Sequence, residues 1–95
     1  MFLGVYHFDG EPTALIPGYE RLMAGMPPEN ITLHVCVVRD GGLSVYDACP
    51  SREVFASFST GPDFAAAARA AGLPAPRVEQ LGEVHVAHLQ EAVRT

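Results

Sequence analysis

The chain has 95 residues, with eleven acidic side chains against six basic ones and a formal charge of -5, which fits a single domain. All six bases are arginine and they form no basic run, so neither nucleic acid nor an anionic membrane surface is expected as a partner. Two cysteines are too few for a disulfide framework, and nothing reads as a membrane span or a secretory signal, so a reduced, cytoplasmic protein is expected.

Residues 2–8, FLGVYHF, predict a first strand ending at the Asp9-Gly10 turn signal. Alternate residues of a strand share a face, so Phe2, Gly4, Tyr6 and Phe8 lie on one side and Leu3, Val5 and His7 on the other. Next, Leu15, Tyr19, Leu22, Met23 and Met26 recur at three- and four-residue steps, the apolar stripe of a helix. Pro12 suits a first helical position. Pro17-Gly18 does not suit an interior, because proline lacks the N–H and crowds the preceding turn. Either the helix begins near Pro17 or it is kinked there; the favoured form is a clean helix from about 17 to 25, with at most one loose turn before it, ended by Pro27-Pro28.

Residues 31–39 and 43–48 predict strands two and three, joined through Asp40-Gly41-Gly42. Strand two carries Ile31, Leu33, Val35 and Val37 on one face and Thr32, His34, Cys36 and Val38 on the other. A two-residue turn sets His34 and Cys36 beside Val45 and Asp47, whereas a three-residue turn brings in Ser44 and Tyr46; the two-residue turn is the expected one. Ser51 reads as an N-cap for a helix that turns Val54, Phe55 and Phe58 inward. A second helical piece is capped by Thr60 or Gly61, opened by Pro62, carried by alanines and closed by Gly72 and Pro74. Residues 77–89, RVEQLGEVHVAHL, predict the final strand.

The order strand, helix, strand, strand, helix, strand is the split βαββαβ pattern. It predicts one α+β, ferredoxin-like domain over 1–95, with a four-stranded antiparallel sheet and both helices on one face. The helix-free face would expose apolar side chains, and a homodimer packed sheet against sheet is expected to cover it.

The candidate chemistry rests on imidazoles. A carboxylate beside a histidine fixes its tautomer and raises its basicity, so Asp47 with His34 forms a candidate general base. Glu83 shares the strand face of His85, a second such pair, while His88 faces the other way. Cys36 reads as a buried, inert thiol, because strand neighbours two apart are about 7 Å apart and His34 is too distant to activate it. His34-x-Cys36 is the one close same-face pair of metal-ligating residues, so no metal site is expected. The sequence shows no phosphate-cradling glycine loop and no dinucleotide fingerprint, and no cofactor is expected.

GGLSVYDACPSREVFASF and AAGLPAPRVEQLGEVHVAHL, a hairpin running into a helix and a helix running into a last strand, resemble the dimeric α+β barrel superfamily. The likeness is to its antibiotic-biosynthesis-monooxygenase-like proteins and their uncharacterised actinobacterial relatives. The resemblance implies a bacterial homodimer with an interior pocket for a hydrophobic ligand, against the partner subunit. It also implies a small cofactor-independent enzyme of monooxygenase, cyclase or isomerase type, acting on an aromatic or polyketide-like molecule. In that reading His34, His85 and Asp47 are catalytic, and His7, Cys36, Tyr6 and Val45 line the pocket. The alternative is a non-catalytic dimeric protein that binds a small molecule or serves as an accessory.

Overall fold

A two-residue turn at Asp40-Gly41 sets the register of the sheet: Arg39 pairs with Gly42, and Gly41 takes φ +82°, a left-handed conformation that glycine adopts without strain. The computed structural model describes residues 1–26 and 32–89. In chain order the elements are β1 (Phe2–Asp9), α1 (Pro12–Ala24), β2 (Leu33–Arg39), β3 (Gly42–Cys49), α2 (Arg52–Ser59), α3 (Pro62–Ala70) and β4 (Arg77–Glu83). The strands form one antiparallel sheet in the order β2-β3-β1-β4, which is ferredoxin-like topology with the second helix divided in two.

Pairing of Tyr6 with Val45 and of Val45 with Cys36 fixes which side chains face the helices. Phe2, Tyr6 and Phe8 of β1, Leu43 and Val45 of β3, and Phe55 and Phe64 from above form one apolar cluster. Phe55 is fully enclosed, and burying a phenylalanine contributes about 1.5–3 kcal/mol. Ser51 caps α2, its hydroxyl accepting from the Val54 N–H at 3.1 Å, an interaction worth about 1 kcal/mol. At the end of α3, Gly72 at φ +84° lets the Leu73 and Gly72 N–H groups return to the Ala68 and Arg69 carbonyls.

Two elements differ from the sequence expectation. The first helix begins at Pro12 rather than near Pro17, and Pro17 lies inside it. A proline there removes one hydrogen bond, to the Thr13 carbonyl, and both residues are exposed, so water can take that place. Gly18 next to it is buried; a Cβ there would stand 3.0 Å from a Leu73 methyl and 3.1 Å from the Ala71 carbonyl oxygen. The helix thus comes close to the end of α3, and Arg21 secures the contact by donating from Nε and Nη2 to the Ala71 oxygen. Pro27-Pro28 and Ile31 lie outside the described residues.

The last strand is shorter than expected and ends at Glu83, because its partner runs out there. Glu83 pairs with Phe2, and beyond it one backbone bond, Val84 N–H to the Met1 carbonyl, finishes the ladder. A bulge opposite Leu3 and Gly4 and φ +152° at Gly82 interrupt the alternation before that point. His85 and His88 therefore follow the strand instead of alternating along it, and both are exposed.

The helix-free face carries a polar belt across all four strands. Asp9 accepts from Arg39 at 2.9 Å and from Arg77 at 2.9 and 3.0 Å. The Arg77 and Arg39 hydrogen bonds, in that order, hold its carboxyl well below the usual carboxylate range. A depressed folded-state pKa stabilises above the unfolded value, about 3.9, and this is lost as pH falls through the folded one. Asp9→Asn is accordingly expected to lower the urea midpoint at pH 7, with the gap from wild type closing progressively below about pH 4.

Candidate active site

Even-numbered residues of β2 face the helices, so His34 comes to lie under α1 and opposite Asp47 of β3. His34 Nδ1 is 2.5 Å from Asp47 Oδ1, and His34 Nε2 is 2.5 Å from Tyr19 Oη. An ionised carboxylate only accepts, so the ring proton sits on Nδ1 and points at Asp47. Nε2 then presents its lone pair, and the Tyr19 hydroxyl donates to it. Asp47 is 6% exposed, and the Tyr19 ring lies nearly parallel to the imidazole, at 16°. The result is a three-residue chain, carboxylate to imidazole to phenol, running from the sheet to the inner face of α1.

This chain borders a pocket between the sheet and the helices. Its floor is Tyr6, Phe8, Val45, Asp47 and His34, and its walls are Tyr19, Leu22 and Met23 of α1 and Met26 just after it, with Phe58 and Phe64 opposite. The space open to a water-sized sphere is about 20 Å³, room for roughly one water. Met23 and Met26 on one wall are half-buried and unbranched, with three torsions each, so the volume can change at small cost.

Tyr6 supplies the pocket's fourth polar side chain. Its ring is 2% exposed and held between Phe55 and Phe64, at centroid distances of 5.4 and 5.1 Å. Its hydroxyl is the one buried side-chain polar atom without a hydrogen-bond partner among the described residues, and such an orphan costs about 1–3 kcal/mol. Burial first, then the charge of Asp47, pushes the phenol pKa well above its usual value, so the group stays protonated.

The candidate residues from the sequence thus divide. His34, Asp47, Tyr6 and Val45 meet in the pocket, and Cys36 packs beside them against the core. Burial raises the Cys36 thiol, with a Tyr19 hydrogen bond opposing, and burial likewise raises Cys49, so both remain thiols. His7 is on the opposite face of the sheet. There Ser44 accepts from Arg39 at 2.9 Å and donates to His7 Nδ1 at 2.8 Å, leaving His7 Nε2–H to donate to Glu79 at 3.3 Å. His85, beyond β4, stands apart from His34. The pocket itself lies under the helices, not against the helix-free face where a partner subunit would sit. The cause is register: His34 and Asp47 share the face of Phe2, Tyr6 and Phe8, and those aromatics are what the helices cover.

Tyr19 is the residue that sequence reasoning took only for packing. A signal was available: it lies four residues from Leu15 and three from Leu22, on the buried stripe, where a phenol hydroxyl needs a partner. Among the described residues no three His, Cys, Asp or Glu side chains gather as metal ligands do, and no helix is long and apolar enough to cross a membrane. In comparison with known proteins, no protein family, no curated protein and no solved structure matches the chain. Function therefore has to be argued from the site.

Proposed function

We propose that the protein is a small cofactor-independent enzyme that removes a proton from a hydrophobic small molecule. The observation that carries this reading is the Asp47–His34–Tyr19 chain on the border of an apolar pocket. Asp47 orients the ring and stabilises the imidazolium that forms. His34 Nε2 is the proton acceptor, reached through Tyr19: the phenol passes its proton to Nε2 as it takes one from the substrate. General-base help of this kind contributes about 10²–10⁴-fold in rate. The apolar walls strengthen the electrostatics of the transfer by excluding water. Oxygenase, cyclase and isomerase outcomes share this first step, and the substrate class of the resembled superfamily, aromatic or polyketide-like, is compatible with the pocket's aromatic lining.

The active unit in this reading is a homodimer joined through the helix-free face. Val35 and Val37 of β2 support it, since they stand 42% and 40% exposed on that face. A second reading, a non-catalytic dimeric small-molecule-binding or accessory protein, is favoured by one feature: the pocket holds about one water.

Deuterium exchange separates the two. With 2-tetralone, an enolisable bicyclic ketone, in D2O, the wild-type protein is expected to accelerate exchange at the carbon between ring and carbonyl. His34→Ala is expected to lose about 10²-fold or more of that acceleration, and His85→Ala none. Equal exchange with the wild type and with His34→Ala would exclude the proposed base.

A further inference from the structure

The pocket holds a proton with nowhere to go. Tyr6 is fixed by two phenylalanine rings, enclosed by the core, and lines a space that His34 and Asp47 also border. Its hydroxyl has no partner among the described residues. Evolvable alternatives are simple, since phenylalanine fills the same volume without leaving a polar atom stranded. A donor kept in that state fits a site that is completed by its ligand.

We infer that Tyr6 is the oxygen-binding group of this pocket, and that the substrate is a neutral carbonyl compound whose oxygen accepts from Tyr6 while the adjacent carbon gives its proton to the Tyr19–His34 chain. The inference rests on the proton-abstraction reading above and adds the substrate's functional group to it.

The chemistry of the lining selects among ligands. Asp47 is a carboxylate and among the described residues no arginine lines the pocket, so an anionic ligand such as a carboxylate or phosphate meets repulsion there without compensation. A cation finds Asp47 already engaged with His34. A hydrocarbon leaves the Tyr6 hydroxyl orphaned. A neutral carbonyl oxygen, which only accepts, satisfies it.

The step balances without a co-reactant. The C–H electron pair becomes the carbon–carbon π bond of an enolate, and the carbonyl π pair moves to oxygen. The proton goes to Tyr19 Oη as the Tyr19 proton goes to His34 Nε2. Negative charge on the substrate oxygen and positive charge on the imidazole therefore appear together. Tyr6 donates to that oxygen, and its burial keeps the phenol protonated throughout. Because the ring is already held, the donor needs no reorganisation when the charge develops. Delivery of a solvent-derived proton to the carbon, after the His34–Tyr19 chain has exchanged with water, gives exchange, and delivery to the oxygen gives the enol.

The test compares 2-tetralone with tetralin, which has the same carbon skeleton and no oxygen, on the wild-type protein and on Tyr6→Phe. The wild type is expected to bind 2-tetralone more tightly than tetralin. Tyr6→Phe is expected to weaken 2-tetralone about fivefold to tenfold and leave tetralin unchanged. The same variant, free of ligand, is expected to melt about 4 °C or more above the wild type, because it no longer buries an unpaired hydroxyl. In the wild type the carbonyl stretch of bound 2-tetralone should shift to lower frequency relative to its value in hexane, an observation that needs no variant. An unchanged 2-tetralone affinity in Tyr6→Phe, a lower melting temperature, or an unshifted carbonyl stretch would overturn the inference, since each means that Tyr6 is satisfied from within the protein. The two readings fail separately. Loss of deuterium exchange in the wild type with the Tyr6 binding pattern intact removes the base and leaves the oxygen site; exchange that persists with Tyr6→Phe binding both compounds as before does the reverse.

Discussion

Replacing Gly4 with alanine is expected to destabilise the protein by about 3 kcal/mol, the upper end of what overpacking a core costs. Gly4 lies in the middle of β1, opposite Asp47 of β3, and the Phe55 ring sits on it. A Cβ at Gly4 would lie 2.1 to 2.6 Å from three atoms of that ring. The ring cannot swing away, because Phe55 is fully enclosed and packs against Phe2 and Tyr6 at centroid distances of 5.8 and 5.4 Å. Relief has to come from lifting α2 off the sheet or from turning Tyr6, and both open the core. Urea unfolding should show a lower midpoint at unchanged slope. A double-mutant cycle with Phe55→Leu identifies the cause: in the Phe55→Leu background the Gly4→Ala cost should shrink by about 1 kcal/mol or more. Additive costs would mean that the loss comes from strand conformation and not from the ring.

The fold was legible because local signals agreed with one another. Alternation in β1, the Asp40-Gly41 turn, the Ser51 cap and the Gly61-Pro62 start each have a mechanism that does not depend on distant residues. From the turn alone follows the pairing of His34 with Asp47, since a two-residue loop leaves no other register. What escaped were features set by a partner elsewhere in the chain. The extent of β4 depends on where β1 begins, and the packing of α1 at Gly18 depends on Ala71 and Leu73 beyond α3. Which side of the sheet the His34 face belongs to could be read only once the aromatic face of β1 was matched to it across β3. Tyr19 and His34 are fifteen residues apart in sequence and meet only because α1 crosses β2. The site is thus half local and half tertiary: the acid–base pair lay in a hairpin, and its phenol came from a helix whose phase no short window fixes.

Asp47→Asn is expected to lower any turnover that depends on His34 by about 10²–10⁴-fold while leaving the fold intact. The substitution changes one atom and preserves shape, so its effect isolates the charge and the direction of one hydrogen bond. As carboxylate, Asp47 can only accept from His34 Nδ1–H, and this leaves Nε2 to accept from Tyr19. As amide, it can donate to Nδ1, and the ring proton then moves to Nε2. Two protons would face each other between His34 and Tyr19 unless Tyr19 turned its own away, and the relay would run in the wrong direction. The negative charge that stabilises an imidazolium would also be gone. Nitrogen chemical shifts of the His34 ring report the switch without any substrate: the wild type should carry its proton on Nδ1 and Asp47→Asn on Nε2. Asp47→Ala separates tautomer from packing. It leaves the part-buried Nδ1–H without an acceptor, so it should cost about 1–3 kcal/mol of stability, whereas Asp47→Asn should cost less. If Asp47→Asn keeps the proton on Nδ1 and keeps the rate, Asp47 serves only to brace β2 against β3, and the chain from sheet to helix is architecture and not a base.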